Sequence, residues 1–181
     1  MSQEPSSSTG FGLSIAYLIP GFLALLSVSG YLPAVRAWLM SPPASSPTMG
    51  GFLYGTVASL ALGLTLSTIR WAVLDRLLLL TGIKQPSWDF SKLQHHLGAF
   101  MIAVEHHYRY YQFYGNTLVF LVFLFVFPHP LSGVVPGEPW LHRAGAGALA
   151  LLFFAASRDT LRKYHDRARA IQEEFLILCG E

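Results

Sequence analysis

Apolar and polar positions divide this chain into long hydrophobic runs separated by short polar segments. The clearest run covers residues 50–70, where no charged side chain occurs before Arg70. A run of this length matches the ~20 residues that a helix needs to cross the hydrocarbon core of a bilayer. Three more such runs lie at about 11–32, 108–127 and 139–157. The pattern predicts an all-α, polytopic membrane protein with four transmembrane helices and cytoplasmic helical extensions.

Small residues recur at every fourth position of the second run. This spacing leaves a flat stripe along one helix face, on which another helix can pack closely. The stripe consists of Gly51, Gly55, Ser59, Gly63 and Ser67. Alternating alanine and glycine at residues 144–148 give a second small-residue surface in the fourth run. Because internal packing needs only part of these surfaces, we expect a homo-oligomer.

The segments between the runs carry signals for helix ends. Residues 1–10 are polar and predicted to be disordered, and Pro20 is expected to kink the first span. A loop rich in proline and serine follows at 41–48. The helical pattern of the second run continues past Arg70 to Leu80, where Gly82 favours a C-terminal cap and Pro86 prevents continuation.

Residues 71–107 are therefore predicted to form a helical segment outside the membrane. Ser87 or Asp89 can cap a new helix that runs on toward Tyr114, and Pro128 and Pro130 end the third run.

The fourth run continues directly into a charged segment, so residues 158–181 are predicted to form an amphipathic cytoplasmic helix. Apolar residues recur in it at spacings of three and four, which predicts a seam that packs on another helix. The seam consists of Leu161, Tyr164, Ala168, Ile171, Phe175 and Leu178. We also consider residues 158–178 as a docking surface for a soluble or membrane protein partner.

Basic residues predict the orientation. Of the 12 Lys and Arg residues, all but Arg36 and Arg143 lie between residues 70 and 109 or in the C-terminal segment. Basic residues accumulate on the cytoplasmic side of membrane proteins. The sequence thus predicts a multi-pass protein of the cell (inner) membrane with both termini in the cytoplasm, which agrees with an even number of spans.

Composition supports a bilayer as the partner and excludes several other classes. Charged residues make up only 12% of the chain, against about 25% in soluble domains. A net charge of +2 gives no reason to expect a nucleic acid partner. Cys179 is the single cysteine, so no internal disulfide forms. No nucleophile motif or phosphate-binding loop is present, so we expect no cofactor and lean against an enzyme.

Polar groups inside the predicted spans are few, and no charged residue lies near the middle of a span. This argues against an ion-coupled carrier, because such carriers place ionisable groups at mid-membrane. We expect the polar mid-span residues to be hydroxyls, chiefly Thr56, Ser59, Thr65, Ser67 and Thr68. Their structural interpretation is hydrogen bonding to a neighbouring helix or to their own backbone; the functional alternative is a pore lining in an oligomer.

Ionisable residues concentrate at the cytoplasmic ends of the helices. The candidate binding or regulatory cluster consists of His95, His96, Glu105, His106, His107, Arg109, Asp159 and His165. We expect Arg109 to pair with Asp159 near the histidines, where a small anion could bind.

The histidines of this candidate cluster suggest a metal or haem site. His95 and His106, however, lie roughly 16 Å apart along one helix, which is too far for a shared ion. A belt of tyrosines and histidines at the membrane interface is the structural alternative, and whether a metal binds stays open.

Three functions from different classes remain. The first is a small oligomeric protein, channel- or pore-like, gated or assembled through its cytoplasmic helices. The second is a membrane-embedded enzyme or a metal- or haem-binding protein that uses the histidine-rich segment. The third is a membrane subunit that docks a soluble partner on residues 158–178.

Overall fold

The computed structural model describes residues 8–39, 49–86, 97–126 and 138–179. Within these ranges every regular element is helical, which confirms the all-α prediction. Helix α1 is Ser8–Tyr31, α2 is Pro33–Leu39 and α5 is Pro139–Cys179. Helix α3 joins Met49–Ile69 to Asp75–Leu80 through a π-helical turn at Arg70–Leu74. Helix α4 joins Leu97–Ala103 to Arg109–Val126 through a π-helical turn at Val104–Tyr108.

The end of helix α3 agrees with the sequence prediction. Thr81 N–H donates to the carbonyl of Leu78 at 3.0 Å, and Gly82 N–H donates to that of Leu79 at 3.1 Å. Gly82 has φ +89°, a left-handed conformation that glycine adopts without steric cost. Arg158 of α5 adds a side-chain bond from Nη2 to the Thr81 carbonyl at 3.2 Å, so α5 satisfies a carbonyl that α3 leaves open at its end.

Two boundaries differ from those predicted. Helix α1 begins at Ser8, so residues 8–10 are helical instead of disordered. Helix α2 was not predicted; its Pro33 occupies the first helical position, where the missing N–H of proline has no intrahelical partner to lose. The loop at 41–48, the caps at Ser87 or Asp89, and the prolines after residue 127 lie outside the described residues.

Helices α1 and α3 are in direct backbone contact. A Cβ placed on Gly21 would lie 1.8 Å from the carbonyl oxygen of Ser59, and one on Gly63 would lie 2.1 Å from that of Tyr17. These distances are far shorter than real Cβ contacts, so only glycine fits. The Ser59–Gly63 part of the small-residue stripe is therefore used within one chain, whereas a Cβ on Gly55 would meet nothing within 4 Å.

Two apolar clusters hold the remaining helices together. The first joins the end of α3 to α4 and α5 through Leu74, Leu78, Ile83, Tyr111, Leu118, Leu161 and Tyr164. The second joins α3, α4 and the start of α5 through Leu66, Phe120, Leu121, Leu124 and Ala146. Leu161, Tyr164 and Ala168 of the predicted seam are buried. The seam in the described part of α5 thus packs on α3 and α4.

The surface of the bundle is strongly apolar. Phe52, Tyr54 and Leu80 of α3 are 77%, 66% and 84% exposed, while Ser59 and Arg70 on the same helix are buried. Within the described residues, two stretches are long and apolar enough to cross a membrane, Ser14–Tyr31 and Gly51–Leu80. Exposed apolar patches of this extent are rare on proteins whose surface meets only water.

We predict that Gly63→Ala destabilises the protein, whereas Gly55→Ala does not. The methyl group at residue 63 would push apart the backbones of α1 and α3, at a cost of about 1–3 kcal/mol for overpacking. The measurement is the thermal unfolding midpoint of each purified variant in the same detergent. Equal midpoints for Gly63→Ala and the parent protein would show that α1 and α3 do not meet at this glycine.

Candidate functional site

An arginine is buried between α3 and α4. Arg70 is only 3% exposed, and its guanidinium carbon lies 4.8 Å from the ring centroid of Tyr111. Its stem packs on Gly115, where a Cβ would lie 2.5 Å from the arginine Cδ. The absence of a side chain at residue 115 therefore makes the space that the arginine fills.

Asp75 supplies the opposite charge. Its Oδ1 atom lies 3.7 Å from Arg70 Nη1 and accepts a hydrogen bond from the hydroxyl of Tyr111. We call these three residues, Arg70, Asp75 and Tyr111, the Arg70 junction. The Arg70 side chain is 4% exposed and that of Asp75 is 27% exposed, so removal of Asp75 would leave a buried cation without its counter-charge.

The π-helical turn brings the two charged residues of the junction to one side of α3. In a regular α-helix, residues five apart point about 140° away from each other. The π-turn instead closes with hydrogen bonds five residues long, and the backbone N–H of Asp75 donates to the carbonyl of Arg70. Arg70 and Asp75 therefore face the same neighbours on α4.

A polar cavity of about 240 Å³ adjoins the junction, and we call it the tyrosine chamber. Its polar walls are Asp75, Gln85, Tyr108, Tyr111, Tyr164 and His165, and Trp71, Leu79 and Leu161 complete them. The ring centroids of Tyr108 and Tyr164 are 5.0 Å apart, and those of Tyr108 and Tyr111 are 6.0 Å apart.

Burial disfavours the charged forms of two groups of the chamber. His165 is 5% exposed, and burial lowers its pKa because it disfavours the charged imidazolium, while the carboxylates of Asp166 and Asp75 act in the opposite direction. Burial and the neighbouring Tyr108 raise the pKa of Tyr164 to about 12. Asp75 is the formally charged residue among those that line the chamber.

Two amides on α4 correct the expectation that only hydroxyls occur inside the predicted spans. Gln112 Nε2 donates to the hydroxyl of Tyr17 at 2.9 Å, and Asn116 Nδ2 donates to the carbonyl of Ala16 at 2.9 Å. Both amides are buried. They lie one turn apart on α4 and join it to α1, which gives this interface hydrogen bonds as well as apolar contacts.

The predicted cluster of ionisable residues is divided among several places. Glu105, His106 and Arg109 line a cleft of about 230 Å³ between α1 and α4, which we call the α1–α4 cleft. Gly12, Ile15, Tyr110 and Phe113 complete its wall. A Cβ on Gly12 would lie 2.7 Å from Arg109 Cδ, so the arginine side chain extends across α1 at this glycine.

The expected pairing of Arg109 with Asp159 is wrong. Asp159 pairs with Lys163 at 2.5 Å and with Arg162 at 3.7 Å, both on its own helix. Lys163 lies four residues after Asp159 on α5, and this spacing places the two side chains next to each other on one helix face. These bonds, chiefly the one from Lys163, lower the pKa of Asp159.

The histidines of the predicted cluster also lie at different places in the structure. Burial, followed by the nearby Arg167, lowers the pKa of His107, so this ring faces the basic side of α5. His106 belongs to the α1–α4 cleft and His165 to the tyrosine chamber. His95 and His96 lie outside the described residues. Within the described ranges, no three His, Cys, Asp or Glu side chains lie close enough to hold a metal ion.

Three threonine hydroxyls of α3 bond to the backbone of their own helix, whereas the buried Ser59 hydroxyl has no hydrogen-bond partner among the described residues. Thr56, Thr65 and Thr68 donate to the carbonyls of Phe52, Ala61 and Leu64 at 2.9, 3.0 and 3.0 Å. This supports their structural interpretation, because each bond leaves no polar donor exposed on the apolar surface. A pore lining formed by these residues stays a prediction.

The Arg70 junction was not predicted from the sequence, because Arg70 was placed at the end of a span and no partner was considered for it. An arginine inside an apolar run, followed five residues later by an aspartate, was the available signal. Comparison of the chain with protein-family models, curated proteins and solved structures yields no match. The chemistry of these sites therefore rests on their own geometry.

We predict that Arg70→Met lowers stability by about 1–3 kcal/mol, because it leaves the Asp75 carboxylate, which is 27% exposed, without its cation. Tyr111→Phe removes one hydrogen bond to a charged acceptor and should cost about 1.5–3 kcal/mol. Arg36→Met, on the exposed side of α2, is the control and should unfold like the parent protein. Thermal unfolding in detergent measures all three, and a parent-like midpoint for Arg70→Met would contradict a stabilising junction.

Proposed function

We propose that this chain is an integral protein of the cell (inner) membrane that crosses it four times, with both termini in the cytoplasm. Two helices long and apolar enough to span a bilayer support this, as do the exposed apolar residues on α3, α4 and α5. The distribution of basic residues gives the orientation. The third and fourth crossings are the Arg109–Val126 segment of α4 and the first half of α5.

Labelling with a membrane-impermeant thiol reagent tests this topology. We predict that cysteines introduced as Ser45→Cys and Gly133→Cys, in a Cys179→Ser background, react in intact cells. The natural Cys179 should react only after the membrane is opened, because the C-terminal segment is cytoplasmic. Labelling of Cys179 in intact cells, or protection of Ser45→Cys and Gly133→Cys there, would contradict the proposed orientation.

For the function, we propose binding of a phospholipid in the α1–α4 cleft. The observation that carries this is the convergence of ionisable and apolar side chains on one cleft wall. Arg109 and His106 meet Ile15 and Phe113 within the same cavity. The charged headgroup of a phospholipid would contact the ionisable side chains, and its apolar chains would contact Ile15 and Phe113.

The ionisable groups favour a zwitterionic headgroup. Arginine donates hydrogen bonds to phosphate oxygens, so Arg109 suits the phosphate. The Nδ1 atom of His106 lies 3.2 Å from the Ile102 carbonyl, and a ring that donates there through Nδ1–H presents Nε2 as an acceptor, which suits the amine of the headgroup. Glu105 lies in the same cleft and balances the charge of Arg109, so a headgroup that combines phosphate with an amine fits better than an anionic one.

Gly12→Ala is the sharpest test of the lipid site. Its methyl group would reach the flexible Arg109 side chain, so it should displace the arginine while the fold survives. We predict that native mass spectrometry detects phosphatidylethanolamine on the parent protein and at least several-fold less on Gly12→Ala. Gly145→Ala, where a Cβ meets nothing within 4 Å, is the matched control.

Equal lipid retention by the parent protein and Gly12→Ala, with equal unfolding midpoints, would contradict the site. Phosphatidylglycerol supplied in place of phosphatidylethanolamine tests the headgroup. Tighter retention of this anionic lipid would mean that Glu105 does not select the ligand.

Assembly and docking are separate proposals. A homo-oligomer is supported by the part of the small-residue stripe that remains open, where Gly51 and Gly55 border an apolar groove with α1 and α2. Docking of a partner on residues 158–178 is supported by the exposed Arg162 and Lys163 of α5. Nothing in the described geometry favours a pore over lipid binding, since the threonines of α3 already bond within their own helix.

A further inference from the structure

The tyrosine chamber has a composition that suits one class of ligand. Three tyrosine rings and the indole of Trp71 surround one carboxylate, that of Asp75. We propose that this chamber binds an organic ammonium ion, held by the carboxylate and by the faces of the aromatic rings. The chamber shares no wall residue with the α1–α4 cleft, so this proposal stands apart from lipid binding there.

The charge of the residues that line the chamber determines whether it binds a cation or an anion. Asp75 is the formally charged residue among those that line the chamber, and its side chain is 27% exposed. Arg70 does not line the chamber, and its Nε and Nη1 atoms are buried in the bundle. An anion would therefore meet the carboxylate without reaching the guanidinium.

The carboxylate retains the capacity to accept a ligand. Arg70 and Tyr111 both contact the same oxygen of Asp75, Oδ1. An ionised carboxylate has two oxygens and about four acceptor positions. The Oδ2 atom can thus meet a cation from the chamber while the Arg70 junction stays intact.

The aromatic rings supply the second part of the site. Tyr108 lies within 5.0 Å of Tyr164 and 6.0 Å of Tyr111, measured between ring centroids. A cation within about 6 Å of a ring centroid is attracted by the electron-rich face, and groups of such rings recognise quaternary ammonium ligands. Arg70 already uses the ring of Tyr111 in this way, and the rings of Tyr108 and Tyr164 contact each other. The ligand would therefore meet Trp71 and the chamber-facing surface of this tyrosine pair.

The ammonium group could come from a free amine or from a lipid headgroup, and one experiment separates these sources. The full chain is placed in nanodiscs of phosphatidylglycerol and titrated with choline by calorimetry. The neutral analogue 3,3-dimethylbutan-1-ol has the same shape without the charge and is the ligand control. We expect saturable binding of choline and none of the alcohol.

The same titration in nanodiscs that contain phosphatidylcholine identifies the source. Choline binding that persists there identifies a free amine as the ligand, and binding that disappears there identifies the lipid headgroup; both outcomes support an ammonium site. Absence of choline binding in phosphatidylglycerol nanodiscs, or equal binding of the alcohol, overturns it.

Trp71→Leu and Trp140→Leu form a matched pair of variants, because the two indoles are 66% and 64% exposed and only Trp71 lines the chamber. We expect Trp71→Leu to weaken choline binding by about three- to tenfold and Trp140→Leu to leave it unchanged. Asp75→Asn should abolish binding, and its helix content is checked by circular dichroism. Since Asp75→Asn can unfold the protein, Tyr108→Leu serves as the second chamber variant. Parent-like affinity in both Trp71→Leu and Tyr108→Leu overturns the proposal.

Discussion

Burial of the Arg70 guanidinium between α3 and α4 is the constraint on which the arrangement of the other helices depends. A desolvated cation must have both a counter-charge and space, and three features provide them: Asp75, the ring of Tyr111 and the missing side chain of Gly115. The apolar cluster of Leu74, Leu161 and Tyr164 closes around this group. The junction thereby fixes how α3, α4 and α5 meet.

Helix α1 is held by a different kind of contact. At Gly21 and Gly63 the backbones of α1 and α3 touch, and the amides of Gln112 and Asn116 bond α4 to α1. Dispersion at close range and buried hydrogen bonds are the forces that join helices when the surrounding solvent is itself apolar. Polar groups accordingly lie inside this bundle, and large apolar side chains cover its surface.

Periodicity and composition were enough to predict the helical class, the continuation of α3 to Leu80, its glycine cap and the unbroken α5. They could not predict the partners of the ionisable groups. Arg109 and Asp159 were expected to pair because their helices end near each other, yet Asp159 finds Lys163 one turn away. The partner of a charged side chain depends on its reach and on the rotation of its helix. The two π-helical turns add one residue each to the helix repeat, so the residues before and after a turn do not follow one regular period of 3.6 residues.

Each π-helical turn amounts to one extra residue in an otherwise regular helix, and this changes how α3 tolerates insertions and deletions. Loss of a single residue from Arg70–Leu74 would restore an ordinary α-helix and leave every residue identity outside the turn intact. The π-turn closes over five residues about as far around the axis as an α-helix does over four, so the Asp75–Leu80 segment would keep its orientation. Leu78 would stay in the apolar cluster while the Met49–Ile69 part of α3 stayed packed against α1. The turn therefore absorbs one residue without changing the phase between the two parts of the helix, whereas a deletion elsewhere in α3 would turn the segment beyond it by about 100°.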